Sequence, residues 1–162
     1  MSIRFTCGDK EEAIGVMREA ARWLAGIGRP MWDEDDLSSD KLTNPADEFW
    51  VMWDDGKSIA SMILCFEDKF FWPDIPPNTS GFIHKLSVRR RYASKGYAKM
   101  MVEHAKKICN NRGIKYLRLD CDPHREGLLR FYKSCGFTLV EMKTLDTEKL
   151  GVIDLAMFEM EC

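Results

Sequence analysis

The sequence lacks the cysteine patterns that hold metal ions or build disulfide frameworks. None of its six cysteines stands in a C-x-x-C pair, and their spacing matches no zinc-ligand pattern. We therefore expect buried, reduced thiols and no metal site. The six residues are Cys7, Cys65, Cys109, Cys121, Cys135 and Cys162.

Long apolar runs and an excess of positive charge are also missing. No apolar run approaches the length of a membrane-spanning helix, and the N-terminal residues MSIRFTCGDKEEA contain no apolar signal core. The formal net charge of -2 provides no general positive field for nucleic acid. These absences predict a soluble, cytoplasmic protein without membrane or nucleic-acid partners.

What is present suits one α/β domain spanning residues 1–162. Hydrophobic residues make up 45% of the chain and charged residues 31%, an ordinary globular balance with enough apolar side chains for a core. No repeat or linker interrupts the chain. The turn-rich stretch Trp72–Gly81 lies between two strand-like runs, so it is interpreted as a loop within that domain.

The apolar periodicity places helices and strands along the whole chain. Helices are predicted at Lys10–Ala25, Asp33–Leu42, Gly96–Asn111 and Glu126–Ser134. Strands are predicted at Glu48–Asp54, Ser58–Phe66, Phe82–Val88, Tyr116–Cys121, Phe137–Met142 and Val152–Met160. Asp55-Gly56 between the first two of these strands predicts a hairpin. With a further strand before the first helix, the order is β-α-α-β-β-β-α-β-α-β-β, which indicates a mixed α/β fold with a βαβ crossover over residues 82–121.

The junction Val88-Arg-Arg-Arg-Tyr-Ala-Ser-Lys-Gly-Tyr-Ala98 joins the end of a strand to the beginning of a long helix. Free N–H groups and the helix dipole favour an anion at such a helix start, and Gly96 allows a ligand to approach closely. Positive charge comes from Arg89, Arg90, Arg91 and Lys95. The segment matches neither the P-loop nor the dinucleotide glycine pattern. By itself it fits a solvated surface loop equally well.

Two motifs together resemble the GNAT superfamily of N-acetyltransferases. The first, V-x-x-x-x-Q/R-x-x-G-x-G/A, holds the pyrophosphate of acetyl-coenzyme A on its loop amides. It corresponds here to Val88, Ala93, Ser94, Lys95, Gly96, Tyr97 and Ala98. The second, L-Y-x-x-x-G-F, corresponds to Phe131-Tyr132-Lys133-Ser134-Cys135-Gly136-Phe137 at the expected distance. The chain looks like a small bacterial-type member of this superfamily.

The resemblance implies a GNAT fold, in which helices flank a mixed, mostly antiparallel central sheet, and acetyl-CoA as the acyl donor without a metal. Ala93 departs from the family's Gln/Arg, and Arg125 stands where relatives often have Asn. The strand before the loop carries a bulge in relatives and admits the pantetheine arm. The implied coenzyme-binding residues are Leu86, Ser87, Val88, Arg91, Ser94, Lys95, Gly96, Tyr97, Ala98 and Arg125.

Tyr132 and His84 are the candidate catalytic residues. The matching Tyr in relatives donates a proton or hydrogen bond to the departing coenzyme thiolate. His84 aligns with a histidine of some arylalkylamine acetyltransferases and could take the proton of the acceptor amine. It could equally be a hydrogen-bonded histidine within the sheet. Alternation along the strand predicts that its side chain shares a face with Leu86 and Val88.

The resemblance implies direct transfer of the acetyl group to a primary amine of a small molecule, with a protein or peptide acceptor ranked lower; the identity of the acceptor is not fixed by the sequence. An acidic group could attract a cationic amine, although an acidic helix start explains it better. It comprises Asp33, Glu34, Asp35, Asp36 and Asp40. Phe70-Phe71-Trp72 could wall the acceptor site or form a subunit contact. The protein is expected to be a monomer or a homodimer. The alternative is a non-catalytic acyl-CoA-binding module with the same fold.

Overall fold

The computed structural model describes residues 2–162. In order, their helices and strands are β1 Ile3–Cys7, α1 Lys10–Gly26, β2 Glu48–Asp54, β3 Lys57–Cys65, β4 Ser80–Val88, α2 Tyr97–Asn111, β5 Tyr116–Cys121, α3 Glu126–Ser134, β6 Thr138–Thr147 and β7 Gly151–Glu161. Short 3-10 turns lie at Glu34–Asp36 and Arg90–Tyr92. Among these helices none is long and apolar enough to cross a lipid bilayer.

The strands are ordered β1-β2-β3-β4-β5-β7-β6 in one sheet. β4 and β5 pair in parallel, with Ser80, Gly81 and Phe82 opposite Tyr116, Leu117 and Arg118. The pairs β1–β2, β2–β3, β5–β7 and β6–β7 are antiparallel. The predicted mixed α/β class and its βαβ crossover are therefore confirmed, because only the crossover can bring consecutive strands parallel.

The chain divides into two compact units. The first comprises the described part of Met1–Cys65 together with Ile83–His104, and the second comprises Phe66–Phe82 together with Ala105–Cys162. The loop motif at residues 88–98 belongs to the first unit, and the motif at residues 131–137 belongs to the second.

In the first unit the apolar stripe of α1 packs against β2 and β3. Ala13 and Met17 are fully buried, as is Val51 of β2, and Ile63 of β3 belongs to the same cluster at 2% exposure. Such burial is the main stabilising term for a helix on a sheet. The buried hydroxyl of Ser61 donates to the Ala13 carbonyl over 2.8 Å, which satisfies this polar group within the contact.

The turn between β2 and β3 confirms the predicted hairpin. Asp55 and Gly56 both have positive φ, +49° and +79°, and Asp54 pairs with Lys57 across the turn. A two-residue loop with both residues left-handed is a type I′ turn, whose twist matches that of the flanking strands.

The helix predicted at Asp33–Leu42 is wrong. The structure has one 3-10 turn there, Glu34–Asp36, capped by the Asp33 side chain. Arg18 of α1 donates to the carbonyls of Glu34 and Leu37 at 3.1 and 2.9 Å, so these acceptors are taken by α1 instead of a helical ladder. Leu37 alone is fully buried among these residues, and one anchor does not define an amphipathic helix.

In the second unit β5, β7 and α3 enclose a separate core. Leu117, Met157 and Phe158 are at most 1% exposed. The observed β6 runs to Thr147, five residues beyond the predicted end at Met142. Its outer half alternates half-buried and exposed residues, so it carries too little apolar character to be recognised as a strand from its sequence.

Candidate active site

The backbone between β4 and α2 has an unusual conformation, and the first amide groups of α2 have no acceptor within the helix. After the 3-10 turn Arg90–Tyr92, Ser94 adopts φ +62° and Gly96 adopts φ +86°. The helical ladder begins with the Met100 N–H, which donates to the Gly96 carbonyl at 3.2 Å. The N–H groups of residues 97–99 precede that ladder, so the helix itself provides no acceptor for them. Left-handed residues beside such amides form concave anion sites.

Gly96 meets two requirements at this point. Its φ of +86° is a conformation that L side chains rarely adopt, and a Cβ placed there would meet no heavy atom within 4 Å. Glycine is therefore required by the backbone, while the space above it is open to a ligand. Ser94 has no such freedom, and a left-handed non-glycine residue costs roughly 1–3 kcal/mol, a strain that concentrates at functional loops.

Arg89 does not point its charge toward the loop. Its guanidinium lies 3.3 Å from Glu12 and 3.3 Å from Glu19 of α1, and its side chain is only 22% exposed. Nε donates to the Ser58 carbonyl over 3.0 Å. The sequence predicts that Arg89 adds positive charge for a polyphosphate. Instead, Glu12 and Glu19 compensate that charge within the first unit.

The other three basic residues of the loop are exposed, and two of them lie over aromatic rings. The guanidinium of Arg90 lies over the Trp23 ring at 4.0 Å from its centroid. Arg91 and Lys95 are exposed, and Arg91 also lies over the Tyr92 ring at 5.0 Å. A ring contact leaves the charge of a guanidinium in place, so Arg90, Arg91 and Lys95 all present positive charge to solvent; Arg91 and Lys95 are among the predicted coenzyme-binding residues.

Sequence reasoning did not find the contacts of Arg89, because they join residues 31 to 77 positions apart. One signal was present. Glu12 and Glu19 are seven residues apart on a predicted helix, a spacing that places both on one face. Two carboxylates on one helix face favour a nearby cation. The sequence does not show which of the chain's basic residues takes that position.

β4 carries a backbone irregularity just before the loop. Lys85 has φ +53° in the middle of the strand, and the Ser87 hydroxyl donates to the Lys85 carbonyl over 3.0 Å. A left-handed residue within a strand is the conformation of a bulge. Leu86 follows it directly, and His84, half-buried, precedes it. The alternation that put His84 on one face with Leu86 is therefore interrupted at Lys85.

Tyr132 is buried in the second unit, with 8% of its surface exposed. Its ring packs among three phenylalanine rings, with centroids 5.2 to 5.9 Å away. Burial raises the pKa of the Tyr132 phenol far above its ordinary value, and nearby Cys121, Cys135 and Asp120 raise it further. The phenol therefore stays protonated at neutral pH and can donate a hydrogen bond.

The second motif owes its spacing to the way α3 ends. Gly136 has φ +103°, its N–H donates to the Lys133 carbonyl at 3.0 Å, and the Phe137 N–H donates to the Tyr132 carbonyl at 3.1 Å. This pair of bonds is the Schellman motif. Phe137 then packs edge-on against Tyr132, with ring centroids 5.8 Å apart. The helix end at Gly136 and the ring contact with Phe137 therefore together determine the position of the Tyr132 side chain.

Arg125 lies at the N-cap of α3. Its Nε lies 3.7 Å from a carboxylate oxygen of Asp122, and its side chain is 15% exposed. The structure thus places Arg125 and Tyr132 in the second unit. The first unit contains His84 and the other predicted coenzyme-binding residues, namely Leu86, Ser87, Val88, Arg91, Ser94, Lys95, Gly96, Tyr97 and Ala98.

The acidic group after α1 is largely compensated by its own neighbours. Glu34 pairs with Arg22 at 2.9 Å, and this hydrogen bond lowers the pKa of the Glu34 carboxyl. Asp36 pairs with Lys41 at 3.4 Å, while Asp33 caps the 3-10 turn. This arrangement favours the interpretation of these residues as a local structural feature. A cleft of about 530 Å³ lies beside them.

The comparisons with known proteins identify the family. A family model described as the acetyltransferase (GNAT) family matches residues 17–137. The uncharacterized N-acetyltransferase YesJ of Bacillus subtilis (strain 168) is 23% identical over 137 residues, which cover 80% of this chain and 76% of that protein.

Solved structures of acetyltransferases share the fold. One of the GNAT family from Listeria monocytogenes has a TM-score of 0.76 at 20% identity, covering 98% of this chain and 95% of that chain. The ribosomal-protein-S18-alanine N-acetyltransferase from Escherichia coli has a TM-score of 0.70 at 16% identity, covering 99% and 94%. A Bacillus subtilis acetyltransferase in complex with CoA has a TM-score of 0.69 at 14% identity, covering 99% of both chains.

These likenesses confirm the predicted GNAT fold. The matched range of the family model covers most of the chain and includes both motifs, the loop that begins α2 and the Schellman end of α3. The protein belongs to the GNAT family of acetyltransferases.

Proposed function

We propose that this protein is an N-acetyltransferase that moves the acetyl group of acetyl-CoA directly to a primary amine of a small molecule. The observation that carries the proposal is the left-handed loop with exposed amides at the beginning of α2. Family membership supports acetyl transfer. Neighbours whose structures contain CoA or acetyl-CoA, among them those from Bacillus subtilis and Elizabethkingia anophelis, support the donor.

The loop fits the diphosphate of the donor. Its positive-φ residues Ser94 and Gly96 turn the backbone so that the first amides of α2 can converge on an anion. The open space above Gly96 leaves room for phosphate oxygens. Arg91 and Lys95 add charge from exposed positions. Because backbone amides carry most of this binding, Ala93 in place of the family's Gln/Arg is compatible with it.

The bulged strand supplies the next part of the site. A bulge leaves one residue of a strand out of the ladder, so the backbone beside Lys85 can pair with the amides of the pantetheine arm. The Leu86 N–H can then polarise the thioester carbonyl, as an oxyanion hole does. The observed φ of +53° at Lys85 supports this role for the strand.

Two side chains handle the protons. His84 accepts a proton from the acceptor amine, which must be uncharged to attack. Tyr132 donates to the coenzyme thiolate as the carbon–sulfur bond breaks. Since burial raises the pKa of Tyr132, the phenol stabilises the thiolate mainly through a strong hydrogen bond rather than by full proton transfer.

A direct experiment tests the activity and separates it from the alternative of a non-catalytic acyl-CoA-binding module. Calorimetry with coenzyme A should show binding, and free thiol should appear when acetyl-CoA is mixed with a panel of amines, antibiotics and peptides. Binding without any thiol release would support the module. Absence of affinity for coenzyme A would exclude both functions.

Replacing Gly96 with Ala should weaken coenzyme binding. The alanine would pay roughly 1–2 kcal/mol at φ +86°, so the loop would leave its left-handed conformation and misplace the amides. We expect the dissociation constant for coenzyme A to rise about tenfold or more. Gly127→Ala is the matched control, since Gly127 is helical and a Cβ there also meets nothing within 4 Å. Equal affinities for both variants would remove the loop from the site.

Tyr132→Phe should lower turnover by about tenfold or more with little change in coenzyme affinity. The variant keeps the ring contacts with the surrounding phenylalanines and removes only the donor hydroxyl. Steady-state kinetics with saturating acetyl-CoA measures the effect. Tyr116→Phe removes the same atom from a tyrosine outside the proposed site and should retain wild-type turnover. An unchanged turnover number in Tyr132→Phe would exclude Tyr132 from the mechanism.

His84→Gln should abolish the acidic limb of the pH–rate profile. A base works only when neutral, so kcat/KM of the wild type should rise with pH as His84 loses its proton. Glutamine cannot titrate, and the variant should show a lower, flatter profile. His124→Gln is the control, since His124 is exposed and paired with Asp154 at 3.1 Å. A His84→Gln profile with the wild-type acidic limb would assign the base to another group.

A further inference from the structure

We infer that Glu19 of α1 is a positioning residue for the diphosphate loop, acting together with Arg89. The inference rests on the proposed function. Glu19 lies outside both family motifs, and Arg89 occupies an unspecified position of the first. Glu19 does not reach the ligand in this scheme. It holds the first residues of the loop in place, so that the amides seven residues further along stand where a diphosphate needs them.

One carboxylate binds two consecutive residues of the loop. Oε1 of Glu19 accepts from Nη1 of Arg89 over 3.3 Å, and Oε2 accepts from the backbone N–H of Arg90 over 3.2 Å. Arg90 is the first residue of the 3-10 turn Arg90–Tyr92, whose leading N–H groups have no partner within the turn. Glu19 therefore caps that turn from a different helix, and its charge is matched by the arginine beside it.

Arg89 is fixed from its other side by β3. Its Nε and Nη2 donate to the carbonyl and the hydroxyl of Ser58, each over 3.0 Å, and its N–H donates to the Ile59 carbonyl over 2.8 Å. Glu12 completes the contacts at 3.3 Å. A guanidinium with this many partners holds its position far better than a single exposed ion pair does.

Arg90 adds a third point of attachment to α1. Its guanidinium lies over Trp23, one turn beyond Glu19, at 4.0 Å from the ring centroid. A guanidinium over an indole ring is attracted by the negative face of that ring. The side chain and the backbone of Arg90 are thus both held by the same face of α1.

The attachment is transmitted to the amides through a short, ordered segment. The Tyr92 N–H donates to the Arg89 carbonyl at 2.9 Å, and the Ala93 N–H donates to the Arg90 carbonyl at 3.1 Å. Ser94 then takes its left-handed conformation directly after this turn. A displacement at Arg90 therefore moves the whole anion site, and small misplacements of positioning groups reduce binding strongly.

Charge and position predict opposite effects at Glu19. A carboxylate near a diphosphate site repels the ligand, so its neutralisation should strengthen binding if charge alone matters. If Glu19 positions the loop, the same change should weaken binding, because glutamine has an NH2 donor in place of one of the two oxygens that accept from Arg89 and Arg90. The sign of the change in affinity therefore decides between the two effects.

The experiment compares Glu19→Gln with Glu11→Gln, which removes the same charge from an exposed residue of the same helix. We expect the dissociation constant for coenzyme A and the KM for acetyl-CoA to rise about fivefold in Glu19→Gln. The kcat at saturating donor should stay within about twofold of wild type. Glu11→Gln should match wild type. Unchanged or tighter binding in Glu19→Gln would overturn the inference.

A truncated donor separates positioning of the loop from a general loss of structure. Acetyl-pantetheine carries the thioester and the arm but no diphosphate. We expect kcat/KM with acetyl-pantetheine to be the same for Glu19→Gln and wild type, since nothing in this donor uses the loop. An equal loss with both donors would overturn the positioning role.

Arg89→Lys provides a second variant with the charge retained. Lysine lacks the planar fork that contacts Ser58, Glu12 and Glu19 together, so the loss should again be confined to acetyl-CoA. Wild-type affinity in this variant would contradict the scheme. Failure of the proposed function is distinguishable, because it would appear as absence of coenzyme A binding in the wild-type protein itself.

Discussion

The first amides of α2, which have no acceptor within the helix, are the feature on which the rest of the proposed site depends. A helix start is an incomplete structure, since its first N–H groups have no intrahelical acceptor. Many proteins close it with a Ser, Thr or Asp cap. Here Ser94 and Gly96 adopt left-handed conformations before the helix, and the space beside Gly96 is open. An anion could pair with these amides, and such binding would account for the strained backbone conformation at Ser94.

The hairpin turn and the end of α3 could be predicted because the residues that specify each of them are close together in the sequence. The hairpin at Asp55-Gly56 follows from the two residues that tolerate positive φ. The end of α3 follows from Gly136 and the aromatic pair Tyr132 and Phe137, whose spacing suits a Schellman motif. In both cases the sequence pattern and the backbone conformation concern the same few residues, so no knowledge of distant contacts is needed.

The parts that could not be predicted depend on partners far along the chain. The segment Asp33–Leu42 has the composition of an acidic helix start, but Arg18 binds its carbonyls and limits it to one turn. Arg89 lies in a basic run that suggests four phosphate ligands, yet Glu12 and Glu19 neutralise it. In each case tertiary packing determines which residues the arginine contacts, and charge composition alone does not reveal those residues.

Tyr132 has a consequence for the behaviour of the protein in alkaline solution. A surface tyrosine ionises near pH 10, and its phenolate could no longer donate to a departing sulfur. Burial displaces that ionisation to higher pH for Tyr132, so the proposed donor would persist across the range in which the acceptor amines become free bases. The upper pH limit of acetyl transfer would then be set by the stability of the thioester and of the fold rather than by this hydroxyl.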